Sequence, residues 1–273
     1  MVLLLPFHLV KQVRRGGLTR AYAERFGHIG RERREAIRAL RRPIWIHAVS
    51  VGEVVAALTL IARWRERNPG REFVLTTTTT TGHALAAKRL PADVPLLYAP
   101  IDFCPWVRRA VSLVQPSMLL LLEVEIWPNL IARAARQKVP VVLANGRVSE
   151  RSAARYARHR WFFRTIFERI ALYCVQTDTD AARIRSVCGD ANIPIRVHGT
   201  MKFDQVSDPH APDRRQLLQS VFRADDLHVF TAGSTHPGEE ECVLDAFARL
   251  RDAFPGLRMV LAPRHHERTA DVE

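Results

Sequence analysis

The sequence predicts an α/β protein built on a doubly wound parallel sheet, and three observations lead there. Short apolar or β-branched runs alternate with longer stretches of helical spacing between residues 44 and 198. The clearest such stretch puts Val54, Ala57, Leu58, Ile61 and Trp64 on one helix face, directly after the first run. The run Met118 to Leu122 is apolar throughout, as a strand covered on both faces must be. Strands separated by helices imply right-handed crossovers and a Rossmann-like sheet sandwiched by helices.

Taken in order, the strand-like runs are Ile44–Val49, Phe73–Thr77, Met118–Leu122, Val139–Leu143, Leu172–Val175 and Ile195–His198. The six threonines Thr76–Thr81 either complete a strand or form a hydroxyl-rich loop at the carboxyl edge of the sheet. Gln205 to Asp213 holds two prolines and little apolar content, which reads as a linker. Beyond it a strand is expected near Leu227–Thr231, a helix from about Pro237 to Phe254, and a strand at Leu257–Leu261. The expected organisation is a membrane-proximal segment over 1–30, a Rossmann-like domain over 31–204, a linker over 205–213, and an incomplete second domain over 214–273. Two strands and one crossover helix cannot cover both faces of a sheet, so either this piece docks onto the first domain or the sequence is a fragment, and a fragment is the expectation.

The 273 residues carry 41 Lys and Arg against 28 Asp and Glu, a formal net charge of +13. No apolar stretch approaches the roughly 20 residues that span a bilayer, which excludes a polytopic membrane protein. The four cysteines are scattered, which argues against a disulfide scaffold or a structural zinc site and for a reducing compartment. The excess charge is concentrated: residues 1–42 hold eleven basic side chains against three acids, and residues 151–169 hold six against one. Met1 to Val10 is an apolar run followed by Lys11, Arg14, Arg15, Arg20 and Arg25, the reverse of a secretory signal. That order suits a helix end held at a membrane with its basic side in the cytoplasm, or a first helix whose apolar face packs on the domain. Between Arg151 and Arg169, Tyr156, Trp161, Phe162, Phe163 and Phe167 lie among the arginines. This mixture suits stacking on bases, a helix near lipid headgroups, or a half-buried helix with a solvated basic face.

Candidate chemistry follows the ends of the strands. In Ser50-Val51-Gly52-Glu53, Gly52 allows a tight turn or a close ligand, and Glu53 projects from the first helical turn as a general base or a helix-dipole partner. Glu123 and Glu125 follow the strand Met118–Leu122; if that strand persists they share a side, and their like charges raise the pKa of one. Lys202 sits in a loop opened by Gly199, where it could stabilise developing negative charge. Ser234 and His236 precede a helix start with Pro237 near its first position, an arrangement able to receive a phosphate. Arg264, with Pro263 before it, follows a strand and could grip a phosphate. His265 and His266 are adjacent, point apart and lack a third ligand at sensible spacing, so no metal is expected. There is no GxGxxG after the first strand, no GxxxxGK[ST] and no GxSxG.

Seven motifs in order carry a family resemblance: HAVSVGE at 47–53, TTTTTTGH at 76–83, EVEIWPNL at 123–130, NGRVSERS at 145–152, GTMKFD at 199–204, STHPGEE at 234–240 and APRH at 262–265. Together they resemble the 3-deoxy-D-manno-octulosonic acid (Kdo) transferases of lipopolysaccharide inner-core synthesis. The resemblance implies a GT-B fold, an acceptor held mainly by the N-terminal domain, and CMP-Kdo held mainly by the C-terminal one. It implies inverting, metal-independent and cofactor-free transfer of Kdo to the lipid A precursor lipid IVA, at the cytoplasmic face of the inner membrane, with an anionic membrane surface and no nucleic acid among its partners. By resemblance Glu53 is the general base, Glu123 and Lys202 stabilise the transition state, and Pro263 and Arg264 begin the CMP-binding set. Ser50, Gly52, Glu125, Gly199, Ser234 and His236 stand as supporting residues. The chain departs from the family in a shorter apolar N-terminus and in His266, where a proline is usual. It also ends before the family's glycine-rich and Asn-x-x-Glu donor segments, so alone it is expected to be inactive or very weak. The rivals are another GT-B nucleotide-sugar transferase and a non-enzymatic basic module that binds membrane or RNA; the last would be indifferent to Glu53→Ala.

Overall fold

The computed structural model describes residues 20–123, 126–189, 192–205, 228–264 and 268–272. The chain divides into two compact units, Met1–Ser207 and Asp208–Glu273.

Among the described residues, the first unit begins with α1 (Arg20–Arg25) and α2 (Arg31–Ala39). They are tied to the domain by polar bonds: Glu24 is buried, pairs with Arg33 and accepts from the Tyr98 amide at 3.1 Å. Ile29 and Ile37 join the main hydrophobic core. The sheet contains β1 (Ile44–Ala48), β2 (Phe73–Thr77), β3 (Leu96–Tyr98), β4 (Met118–Leu122), β5 (Val141–Gly146), β6 (Leu172–Val175) and β7 (Ile195–Val197). All pairings are parallel, in the order β3-β2-β1-β4-β5-β6-β7. The connecting helices are α3 (Val51–Arg67), α4 (Thr80–Arg89), α5 (Cys104–Val114), α6 (Pro128–Arg136), α7 (Glu150–Arg158), α8 (Arg160–Phe167) and α9 (Asp178–Cys188).

Strand alternation divides the apolar residues between two cores, one on each face. Ile44, Ile46, Ala48, Leu120 and Leu122 meet Val54, Ala57 and Ile61 of α3 on one side. Trp45, Leu119 and Leu121 meet helix residues such as Val107, Ile131, Phe167 and Ile184 on the other. The expected doubly wound architecture is therefore present. Strand β3 is absent from the sequence reading, because three residues between Pro95 and Pro100 are too few to show a period. Strand β5 begins at Val141 rather than Val139 and continues through Asn145 and Gly146, a pair that reads as turn punctuation in sequence.

In the second unit, β8 (Val229–Thr235) and β9 (Arg258–Pro263) pair in parallel around helix α10 (Glu239–Ala253), followed by α11 (Thr269–Val272). Here β8 runs four residues further than expected, so Ser234 lies in a strand. The helix is capped at Gly238 in left-handed backbone, which places Pro237 ahead of the helix rather than at its first position. Pro263 closes β9 opposite Thr235, so it is a strand residue and not the loop residue expected. The apolar run Met1–Val10, most of the linker and His265–Glu267 lie outside the described residues.

Candidate active site

In a parallel sheet, the strand order reverses where the chain has wound outward in one direction and restarts in the other. The crevice at the carboxyl ends of those two strands is where such folds bind ligands. Here the reversal lies between β1 and β4, which are hydrogen-bonded neighbours although two strands separate them in sequence. Glu53 follows β1 and Glu123 follows β4, so topology brings together two carboxylates seventy residues apart (123 − 53 = 70).

Glu53 is held by the turn that starts α3. Ser50 is the N-cap, and its hydroxyl accepts from the Glu53 amide at 3.3 Å while donating to Glu53 Oε1 at 2.8 Å. The Val49 amide donates to Oε2 at 2.8 Å and the Ser50 amide to Oε1 at 3.2 Å. This is a capping box, satisfying amides that the helix leaves unpaired. Glu53 is nonetheless only 4% exposed, and burial raises its pKa above the ordinary value. The hydrogen bonds from Val49 and Ser50 act against that rise, and the nearby charge of Glu123 adds to it. A carboxylate that is buried, oriented by three donors and inclined to take a proton is suited to general-base work.

Glu123 directly follows β4 in left-handed backbone at φ +57°, its amide donating to the Ala144 carbonyl at 3.0 Å. That conformation breaks the alternation on which a shared face for Glu123 and Glu125 depends. The Glu123 charge acts on Glu53 across the two strands; Glu125 lies outside the described residues.

The loop that carries Lys202 reaches this edge by a longer route. It follows β7, the outermost strand, where Gly199 turns the chain at φ +80°. The loop then runs back over the sheet: the Met201 amide donates to Asn145 Oδ1 at 3.1 Å, and the Met201 side chain packs on the core beneath α3. The 3₁₀ turn Phe203–Gln205 lies against α3, the helix that carries Glu53. The Lys202 side chain is exposed, and its amide donates to Thr200 Oγ1 at 3.3 Å.

Of the two readings of Gly52, the structure removes the tight turn: the residue is helical, and a Cβ placed there would come no closer than 3.9 Å to Ser50 Oγ, so the turn does not need glycine. The closely packed glycine is Gly82: an added Cβ would lie 2.8 Å from Thr79 Oγ1 and 3.5 Å from the Val49 oxygen and Ser50 carbonyl carbon. The threonine run serves both as strand and as loop. Thr76 and Thr77 are buried in β2, whereas Thr79 caps α4 and donates to the Val49 carbonyl at 2.9 Å.

Three site-edge residues escaped the sequence reading. Asn145 is buried at φ +55° and fixes the Lys202 loop; an Asn-Gly pair after an apolar run was the available signal. His47 is fully buried, hydrogen-bonds Thr76 Oγ1 at 3.0 Å and lies edge-on to Trp127, with ring centroids 5.1 Å apart. Asp102 is buried and accepts from the Asn129 and Leu130 amides at 3.0 and 2.8 Å, anchoring the start of α6.

In the second unit, Ser234, His236, Pro263 and Arg264 gather at the carboxyl ends of β8 and β9. Ser234 has φ +61°, the His236 amide donates to Glu239 Oε2 at 2.8 Å, and the Arg264 amide donates to the Thr235 carbonyl at 3.0 Å. The Arg264 side chain is exposed. Among the described residues, no three His, Cys, Asp or Glu side chains are grouped so as to hold a metal ion.

Comparison with known proteins follows the same residues. The family model for 3-deoxy-D-manno-octulosonic-acid transferase (kdotransferase) matches residues 20–205. The chain is 32% identical over 246 residues to the 3-deoxy-D-manno-octulosonic acid transferase of Haemophilus influenzae, covering 90% of this chain and 56% of that protein. It is 34% identical over 267 residues to the Bordetella pertussis protein of the same name, covering 93% and 59% respectively. The chain therefore spans a little over half the length of these relatives. Among solved structures, the UDP-GlcNAc 2-epimerase of Neisseria meningitidis superposes with a TM-score of 0.60 at 12% identity, over 80% of this chain and 64% of that one. The MnaA–UDP complex of S. aureus gives 0.54 at 12% identity, over 85% and 65%. These likenesses place the fold in the GT-B class. With the family model spanning the whole described part of the first unit, the chain belongs to the 3-deoxy-D-manno-octulosonic-acid transferase family.

Proposed function

We propose that this protein transfers Kdo from CMP-Kdo to lipid IVA, with inversion and without a metal, at the cytoplasmic face of the bacterial inner membrane. In this reaction an acceptor hydroxyl oxygen attacks the anomeric carbon of Kdo as the bond from that carbon to the CMP phosphate breaks. Glu53 takes the hydroxyl proton, CMP leaves with the bonding electron pair, and configuration inverts because attack and departure occur on opposite faces. Lys202 offsets negative charge growing on the departing phosphate. Glu123, close to Glu53, favours proton uptake there and stabilises positive charge developing on the sugar ring. Pro263 and Arg264 begin the seat of the cytidine phosphate.

The observation that carries this reading is the pairing of Glu53 with Glu123 at the strand-order reversal, with the Glu53 pKa raised. It is supported by the family match and by the motifs that hold these residues.

The test is stoichiometric chain mixed with CMP-Kdo and lipid IVA, with the lipid followed by mass spectrometry and its binding measured separately. Expected are lipid IVA binding and slow Kdo addition that Glu53→Gln abolishes. Equal addition by Glu53→Gln, transfer from UDP-sugars in place of CMP-Kdo, or no lipid IVA binding would each contradict the proposal.

A further inference from the structure

Helices α7 and α8 sort the residues of the basic aromatic segment into two populations. Tyr156, Ile166 and Phe167 are buried in the main core, and Phe163 packs partly against it. Outside that packing, Arg151, Arg155, Arg158, Arg160, Arg164 and Arg169 are exposed. So are Trp161, at 78%, and Phe162, at 39%.

Core packing accounts for the first population but not for Trp161. Among the described residues it is the most exposed large apolar side chain, and water around an indole is unfavourable. Nor is it a loose end. A chain of ring contacts runs outward from the core through Tyr173, Phe167, Phe163, Phe162 and Trp161, with successive centroids 6.1, 6.4, 5.2 and 5.8 Å apart. The exposed pair is thus propped outward by buried rings.

We infer that α7 and α8 form the surface that seats this protein on an anionic phospholipid bilayer. Tryptophan and phenylalanine favour the headgroup level, where an apolar ring leaves water and the indole N–H still finds an acceptor. Arginines flanking them reach lipid phosphates, and each is worth about fivefold in partitioning near an anionic surface. The one acid between residues 151 and 169, Glu168, is paired with Arg164 at 2.7 Å, leaving the segment's charge strongly positive. Helices of nine and eight residues are too short to cross a bilayer, so they lie along its surface. This extends the proposed membrane location by naming the face that meets lipid. Its readout is lipid binding, so it fails separately from any failure of sugar transfer.

The experiment uses the full chain and vesicles of phosphatidylglycerol and phosphatidylethanolamine. Because Met1–Val10 is also apolar, total binding is insufficient, and Trp161 itself is monitored. Brominated lipid should quench a part of the tryptophan fluorescence that is missing in Trp161→Phe. Arg151→Glu/Arg158→Glu should lower partitioning at least about tenfold and Trp161→Ala/Phe162→Ala should lower it as well, with far-ultraviolet circular dichroism unchanged. Unquenched Trp161, unaltered partitioning in both double variants, or a patch that binds RNA or protein but no vesicles would overturn the inference.

Discussion

Asn145 and Met201, fifty-six residues apart (201 − 145 = 56), are joined by a hydrogen bond of 3.1 Å from the Met201 amide to the Asn145 side-chain oxygen. The bond fastens the loop after the outermost strand to the end of β5, two strands nearer the centre. Asn145 adopts φ +55°, which asparagine tolerates better than most residues. Lys202 is the next residue along, so its backbone position depends on this contact.

Asn145→Ala should therefore destabilise the first unit by about 1–3 kcal/mol, because a backbone donor is left without its partner. Hydrogen exchange over residues 199–204 should accelerate. Asn145→Asp keeps an acceptor and should restore most of the loss. Urea denaturation of the three proteins gives the comparison.

Glu53 predicts a pH signature that needs no turnover. Its pKa is raised in the folded chain, so its contribution to stability is complete below the unfolded-chain value and is lost as pH rises through the folded value. Glu53→Gln keeps the size and cannot ionise. The variant should gain on the natural protein as pH increases across that window, seen in urea midpoints measured at several pH values. Ser50→Ala removes the N-cap, at a cost of about 1 kcal/mol, and removes a donor that lowers the Glu53 pKa. The window should then move to higher pH.

Thr79 and Gly82 should be coupled. Gly82→Ala brings a methyl group to 2.8 Å from Thr79 Oγ1 and costs about 1–3 kcal/mol. Thr79→Ala alone costs about 1 kcal/mol as a lost cap. With the hydroxyl gone the methyl has room, so the double variant should be less damaged than the sum. A double-mutant cycle by thermal or urea unfolding measures the difference.

His47 works in the opposite direction to Glu53. Burial lowers its pKa to about 3, with the Arg25 charge adding to the effect. Stability from the neutral ring is complete above about pH 6.5, the unfolded value, and declines as pH falls toward 3. His47→Gln should be less stable by about 1–3 kcal/mol near neutrality, and the gap should narrow on acidification. Unfolding midpoints between pH 4 and 7.5 check the sign.

These cases show which parts of the molecule the sequence reveals. Apolar strands separated by helical periods disclose the doubly wound sheet, because burial on both faces imposes that pattern locally. The three-residue β3 is hidden, since its place at the sheet edge comes from pairing with β2 and not from a period of its own. Glu53 and Glu123 stand out as carboxylates after apolar runs, yet their partnership depends on strand order, which spacing does not encode. The expected shared side for Glu123 and Glu125 assumes a continuing strand; the left-handed backbone at Glu123 ends the extended run there, and Glu125 lies outside the described residues. Asn145 was concealed for a similar reason: its partner arrives from a distant strand. In the basic segment, composition favours a half-buried helix with a solvated basic face while leaving stacking and lipid open, and only the tertiary packing separates the buried rings from the exposed Trp161.

The most direct measurement is hydrogen exchange on the full chain with and without lipid IVA. If the acceptor occupies the carboxyl edge where β1 and β4 meet, amides over residues 49–54 and 199–204 become slower to exchange, while the turns at the opposite edge, 41–43, 68–72 and 115–117, do not change. Protection confined to those opposite turns, or no protection anywhere in the first unit, would contradict the account.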